Sequence, residues 1–142
     1  MRKTVFLVLL FAGVLSAAAF LPRPRNEAGP APATAAAPAY QAISPSRAQK
    51  LMKERPDLLL VDVRGPDELG EGMIAGSVSM PFMDLARGKT EIPKGRPVLL
   101  ICAVGGRSLA VGKYLAASGY PEVYNLEGGI KAWKQAGLPV AR

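Results

Sequence analysis

Two short, mainly apolar runs stand out along the chain: "LLLVDV" at residues 58–63 and "VLLIC" at residues 98–102. Apolar runs of this length, bounded by turn signals, are typical of strands that are buried on both faces of a parallel sheet. Two weaker runs, "SVSM" before Pro81 and "VYNL" at residues 123–126, are further strand candidates. The pattern therefore predicts four strands, two of them central.

Segments with helical signals separate these runs. Residues 44–53 begin with Ser44 as a cap and Pro45 at the first helical position, and Leu51 and Met52 lie on the inner face. Short helical turns are predicted at residues 68–71 and 83–87. A strand–helix alternation implies right-handed crossovers, and so an α/β fold with a mostly parallel sheet.

Two longer helices follow the second central strand. The first begins near Ser108, and its residues at helical spacing are Leu109, Val111, Tyr114, Leu115 and Ser118. The second follows Gly128 and Gly129, which we expect to pack closely by their backbone, and it places Trp133 in the core.

The N-terminal segment differs in composition from the rest. Residues 1–21 have a basic start, an apolar run and three alanines, which indicates a signal peptide (residues 1–19) cleaved after Ala19. The alternative is an uncleaved inner-membrane anchor, because residues 5–21 nearly reach the roughly 20 residues that span a bilayer. Residues 20–39 form a Pro/Ala-rich, disordered linker, and residues 40–142 form the domain. We expect export to a bacterial periplasm.

Charge and residue usage exclude several classes of site. The net charge is +7, but from Tyr40 onward the chain has 14 basic and 10 acidic side chains and no basic run, so we expect no nucleic-acid partner. One cysteine cannot form an intrachain disulfide. It also cannot supply a zinc or iron–sulfur site built from several cysteines, and without histidine the usual catalytic-metal ligand sets are missing, so we expect neither a metal nor a cofactor.

The only cysteine, Cys102, ends the second central strand. The stretch that follows it, a turn leading into a helix, consists of Ala103, Val104, Gly105, Gly106, Arg107 and Ser108. Successive amides in such a turn, together with a helix N-terminus, favour an anion, here the thiolate, and the two glycines provide the backbone angles. The alternative is that Cys102 is a small buried apolar residue.

The absence of histidine narrows the chemistry of this thiol. A Cys–His pair for acyl transfer cannot form. Sulfur transfer needs only a thiolate: Cys102 attacks the outer sulfur of a donor, holds a persulfide, and passes the sulfur to a thiolate or to cyanide.

Four stretches together resemble the rhodanese (sulfurtransferase) family over residues 43–140: "ISPSRAQKLM", "LLLVDVRGPDELGEGMIAGSVSMP", "CAVGGRS" and "VYNLEGGIKAWKQAGLPV". The resemblance implies a five-stranded parallel sheet with helices on both faces. It implies that Cys102 carries the persulfide and that the residues up to Arg107 form its loop. The partners it implies are a small sulfur donor and a thiol acceptor, including a protein persulfide or thiol; a membrane is involved only if the leader stays uncleaved.

The resemblance also implies roles for charged residues. Arg107 closes the loop and is held by an acidic partner, for which Asp62 is the candidate. Arg64 is similar to the arginine of the family's Asp-x-Arg motif and adds to the positive field of the site. The alternatives are that Asp62 caps a turn and that Arg64 lies on the surface, paired with Asp67 or Glu68.

The sequence departs from the family at two places. Met73 stands where many relatives have histidine, and the neutral Ala103 and Val104 leave the donor open, because loops suited to thiosulfate often carry cations. Two other functions are alternatives. A related phosphatase needs five residues between cysteine and arginine, whereas this loop has four. A non-catalytic binding module at the cell envelope is the second alternative.

Overall fold

The computed structural model describes residues 39–142, so the predicted signal peptide and almost all of the linker lie outside the described residues. Five strands form one sheet: β1 (Tyr40–Ile43), β2 (Leu59–Asp62), β3 (Val78–Ser79), β4 (Val98–Ile101) and β5 (Val123–Leu126). Their order is β1-β5-β4-β2-β3, and every pairing is parallel. The predicted α/β class and parallel sheet are confirmed.

Four helices connect the strands, α1 (Pro45–Glu54), α2 (Pro66–Leu69), α3 (Phe82–Ala86) and α4 (Gly106–Ala117), and a fifth, α5 (Gly129–Gln135), follows β5. The predicted cap of α1 is confirmed, because the Ser44 hydroxyl accepts a hydrogen bond from the Arg47 amide at 3.3 Å and Pro45 is the first helical residue. Within residues 39–142, no helix has the length and apolar character needed to cross a membrane.

The central strand β4 is buried on both faces, as its apolar run predicts. Leu99 and Ile101 pack into a cluster with residues of α1 and α5, whereas Leu100 and Cys102 pack on the opposite face with residues of α3 and α4. This alternation places helices on both sides of the sheet. It also brings the end of β4 to the middle of the carboxyl edge, where parallel sheets bind their ligands.

The predicted apolar face of α4 needs correction. Helix α4 begins at Gly106, close to the predicted start near Ser108, but it exposes Leu109 and Tyr114, the latter by 70%. Its buried face instead includes Gly112, where an added Cβ would lie 2.5 Å from the Tyr40 ring. The apolar pattern of α4 is misleading because a glycine, which hydropathy does not mark, provides the close approach to β1.

The C-terminal segment packs against the body of the domain. Trp133 is 2% exposed, and its indole N–H donates to the Pro139 carbonyl at 2.9 Å, which confirms it as a core residue. Met73 forms an antiparallel bridge with Ala141, with N···O distances of 2.8 and 2.7 Å. Met73 thus holds the C-terminal segment through its backbone, whatever its side chain.

Candidate active site

The thiol of Cys102 lies at the carboxyl end of β4, and the chain curls around it. The Gly105 amide donates to Sγ at 2.9 Å, and the Ser108 hydroxyl donates to Sγ at 3.2 Å. Cys102 itself is 1% exposed. The loop and the first turn of α4 therefore enclose the sulfur.

Two opposing effects set the pKa of the Cys102 thiol. Burial raises the pKa, because it disfavours the charged form. Hydrogen bonds from the Ser108 hydroxyl and from the amides of Ser108, Gly105 and Val104 lower it, and together they outweigh burial. The net pKa lies below the ordinary value for cysteine, so the geometry favours a thiolate without any histidine.

The two loop glycines have different reasons to be glycine. Gly105 has a φ of +100°, a region that L side chains rarely adopt, and this conformation aims its amide at the sulfur. Gly106 is not among the residues with positive φ, and an added Cβ there would meet open space. The expectation that both positions need glycine for their backbone angles is therefore wrong for Gly106.

The first turn of α5 supports the loop from behind. The Ile130 amide donates to the Cys102 carbonyl at 2.8 Å, and the Lys131 amide donates to the Ala103 carbonyl at 3.2 Å. Gly129 permits this approach: it has a φ of +61°, and an added Cβ would overlap the Cys102 carbonyl oxygen and lie 2.6 Å from the Ala103 carbonyl carbon. The expected close packing is confirmed, and α5 engages the loop carbonyls while the loop amides face the sulfur.

Arg107 does not pair with Asp62, and that prediction is wrong. Its Nη1 and Nη2 each donate to one carboxylate oxygen of Glu68, both at 2.6 Å. Glu68 follows the Gly65–Pro66 turn in the short helix α2 and reaches the loop from the side. Sequence reasoning missed it because Asp62, at the strand end, looked closer to the loop than a residue of a surface helix.

Asp62 pairs instead with Arg64, and both side chains are almost completely buried. The Arg64 Nε lies 2.9 Å from Oδ1 and Nη2 lies 2.7 Å from Oδ2, while the Arg64 amide also donates to Oδ1. Asp62 thus caps this turn as well, but Arg64 is not the surface residue considered as an alternative. Its remaining hydrogen bonds go to the carbonyls of Glu68 and Gly72, at 3.0 and 2.8 Å.

The two ion pairs are connected through helix α2. Arg64 holds the backbone of Glu68, and the carboxylate of Glu68 holds Arg107 at the end of the loop. The Arg107 guanidinium, followed by the Gly65 amide at 2.9 Å, lowers the pKa of Glu68 to about 2. Glu68 is therefore ionised at neutral pH, and both arginines near the thiol are engaged by carboxylates.

Comparison with known proteins identifies the family of this chain. Residues 44–136 match the rhodanese-like domain family. The chain belongs to that family. A sulfurtransferase from Allochromatium vinosum is 42% identical over 97 residues, which covers 68% of this chain and 90% of that protein.

Two further similarities place the rhodanese-like domain among its relatives. The thiosulfate sulfurtransferase GlpE of Coxiella burnetii is 36% identical over 95 residues, covering 67% of this chain and 88% of that protein. The crystal structure of a rhodanese-related protein from Thermoplasma volcanium superposes with a TM-score of 0.64 at 31% identity, covering 72% of this chain and 98% of that one. The family resemblance is confirmed, and the named relatives support sulfurtransferase activity in general.

Proposed function

We propose that this rhodanese-like domain transfers sulfane sulfur through a persulfide on Cys102. The observation that carries the proposal is the set of donors around Sγ: the Gly105 amide at 2.9 Å and the Ser108 hydroxyl at 3.2 Å stabilise a thiolate in a chain that lacks histidine. A thiolate is the one reactive group that sulfur transfer requires, and no proton shuttle is needed.

The first half of the reaction loads the sulfur. The Cys102 thiolate attacks the outer sulfur of the donor, a new S–S bond forms, and the bond between the two donor sulfurs breaks. The electron pair of that bond leaves with the remainder of the donor, which is sulfite for thiosulfate or a thiolate for a persulfide. The negative charge then rests on the outer sulfur of Cys102, above amides that already face an anion.

The second half of the reaction passes the sulfur from Cys102 to the acceptor. A thiolate or cyanide attacks the outer sulfur, the S–S bond of the persulfide breaks, and its electron pair returns to Sγ. The product is a new persulfide or thiocyanate, and the thiolate is restored within the same hydrogen bonds. Sulfur changes partner in both halves, so no external oxidant or reductant is consumed.

The setting of the reaction is also part of the proposal. The basic and apolar N-terminal segment supports export to the periplasm, with anchoring to the inner membrane as the alternative. In an oxidising compartment, the burial of Cys102, which is 1% exposed and enclosed by its own loop, limits random disulfide formation. A protein thiol or persulfide that serves as partner must therefore bring its sulfur to this loop.

Substitution of the nucleophile tests the proposal. We expect Cys102→Ser to abolish transfer from thiosulfate to cyanide, because a hydroxyl is similar in size to a thiol but cannot carry a persulfide. Intact-mass spectrometry after incubation with the donor should show one added sulfur atom on the wild type and none on the variant. Since the chain has one cysteine, no second thiol can account for that mass.

The non-catalytic binding module makes the opposite prediction. A wild-type chain that gains no sulfur with thiosulfate or with an organic persulfide, and that turns over neither, contradicts the proposed function. The melting temperature of Cys102→Ser should stay close to that of the wild type, which separates loss of chemistry from loss of fold.

A further inference from the structure

A pocket of about 390 Å³ opens beside the end of the active-site loop. Its volume lies at the lower end of the range found for small-molecule sites, roughly 300–1,000 Å³. The side chains that form its apolar wall are Val63, Pro66, Pro81, Phe82 and Met83. Arg107 and Asp84 are the two charged residues at its edge.

The pocket adjoins the strand that carries the thiol. Val63 directly follows β2, and its amide donates at 2.8 Å to the carbonyl of Ile101, the residue before Cys102. Phe82 is hydrogen-bonded in turn to the Val63 carbonyl at 3.0 Å. Val63 and Phe82 also pack in the same apolar cluster as Cys102. The pocket wall is therefore continuous with the residues that surround the thiol.

The charges at the edge of the pocket do not suit a small dianion. Both terminal nitrogens of Arg107 donate to Glu68, so this cation is already neutralised. Asp84 adds a carboxylate, with the Lys89 ammonium 3.7 Å away and largely exposed. Among the residues that line this pocket in the described chain, no cation is left without a carboxylate partner.

We propose that the pocket binds the carbon skeleton of a small, uncharged organic thiol that accepts sulfur from Cys102. This inference rests on the proposed function, since it assigns the acceptor class of the same site. The thiol loses its proton to solvent, its thiolate attacks the outer sulfur of the Cys102 persulfide, the S–S bond breaks, and the electron pair returns to Sγ. The organic persulfide then leaves with the transferred sulfur.

Met83 is the residue through which the pocket can be tested. It is 52% exposed, so its substitution should leave the fold intact, and its flexible thioether adapts to alkyl chains of different length. Burial of one methylene changes binding by about fourfold. The dependence of kcat/KM on chain length in acceptors with two, three and four carbons therefore measures binding in the pocket. Cyanide has no carbon chain, so its turnover measures the sulfur-transfer step alone.

The experiment measures kcat/KM for 2-mercaptoethanol, 3-mercaptopropanol and 4-mercaptobutanol with thiosulfate as donor, each divided by the value for cyanide in the same variant. We expect the ratio to rise about three- to fourfold per methylene in the wild type, and less than twofold in Met83→Gln. Met83→Leu, which remains apolar, should restore the slope. Tyr114→Gln is the matched control, because Tyr114 is exposed and does not line the pocket.

The outcomes separate this inference from the proposed function. Turnover of cyanide with a flat chain-length series in the wild type overturns the pocket assignment and leaves the persulfide reaction standing. A slope in Met83→Gln equal to that of the wild type also overturns it. Absence of both cyanide turnover and the Cys102 persulfide overturns the proposed function itself. A flat series with rapid transfer to a protein thiol rejects the small thiol in favour of a protein acceptor.

Discussion

Two ion pairs flank the same active-site loop, and they differ mainly in their exposure to water. Asp62 and Arg64 are 0% and 1% exposed, whereas the side chains of Glu68 and Arg107 are each 36% exposed. Both pairs are bidentate and have short N···O distances. From their geometry alone, the two pairs would be expected to stabilise the fold equally. Their different exposure to water makes their contributions unequal.

The buried pair acts as a frame. Removing charges from water is costly, and the attraction within a buried pair offsets that cost only when other hydrogen bonds complete the arrangement. Arg64 meets this condition, because it also donates to the carbonyls of Glu68 and Gly72 and so fixes α2 against the end of β2. The half-exposed pair instead joins α2 to the loop, where water screens it and the contact can open.

The largest effect should come from breaking the frame. We expect Arg64→Ala to lower the free energy of unfolding by about 3–5 kcal/mol, because it leaves the Asp62 carboxylate buried and without its cation. Arg64→Lys should recover only part of the loss, since an ammonium cannot reproduce the bidentate fork. Urea denaturation followed by circular dichroism measures both values.

Arg47→Ala provides the control for this substitution. Arg47 pairs with Glu54 at 2.9 Å, but both side chains are exposed, and such surface changes usually lie within about 0.5 kcal/mol. If Arg64→Ala were as mild as this control, the buried pair could not be the frame that holds α2.

Breaking the half-exposed pair should cost much less. If Arg107 were paired with the buried Asp62, Arg107→Ala would lower the free energy of unfolding by several kcal/mol. With the half-exposed Glu68 as its partner, we expect a loss of about 1 kcal/mol. A double-mutant cycle with Glu68→Ala should give a coupling free energy of about 0.5–1 kcal/mol. A coupling of 3 kcal/mol or more would mean that the pair is effectively buried.

Low pH should break the half-exposed pair by protonating Glu68. Its pKa falls from the ordinary 4.5 to about 2 on folding, so its stabilisation is complete above pH 4.5 and is lost as the pH falls towards 2. We expect the stability difference between the wild type and Glu68→Gln, at most about 1 kcal/mol after solvent screening, to shrink over that window. Denaturant unfolding at pH 7, 4 and 3 measures it, and a constant difference would contradict the assignment.

The frame and the exposed pair were not equally predictable. The apolar runs of β2 and β4 were enough to predict the parallel sheet. The position of Cys102 at the end of the β4 run was enough to predict where its loop lies. The partner of Arg107 was not predictable in the same way, because it depends on how helix α2 turns after Gly65. Hydrophobic periodicity carries no information about the direction of a polar side chain on a four-residue helix.

The partners of the backbone-to-backbone contacts escaped prediction for a related reason, although the close packing at Gly129 did not. Strand β1 buries only Ile43 of its four residues, so it has no apolar run to mark it. The hydrogen bonds from Ile130 and Lys131 to the loop involve amides that every residue carries. The glycines of the sequence do indicate where such contacts occur. Gly129 is required by the close approach of the loop, and Gly105 is required by its positive φ, whereas Gly106 is required by neither.

The smallest effect should come from adding a cation to the active-site loop. Both native arginines near the loop, Arg64 and Arg107, are already paired with carboxylates. We expect Val104→Lys, at a position 64% exposed, or Ala103→Arg, to lower the KM for thiosulfate severalfold at low salt. The gain should shrink as ionic strength rises, because a charge at an open mouth is screened within about 10 Å at 0.1 M salt.

Tyr114→Lys controls for net charge, since it adds one cation at an exposed position of α4 outside the loop. An organic persulfide without net charge should respond much less than thiosulfate to any of the three variants. If the loop variants and this control behave alike, the gain reflects general attraction of the dianion by the domain. If no variant changes the KM at low salt, the engaged state of Arg64 and Arg107 is not what limits thiosulfate. In that case, donor choice depends on contacts beyond the loop.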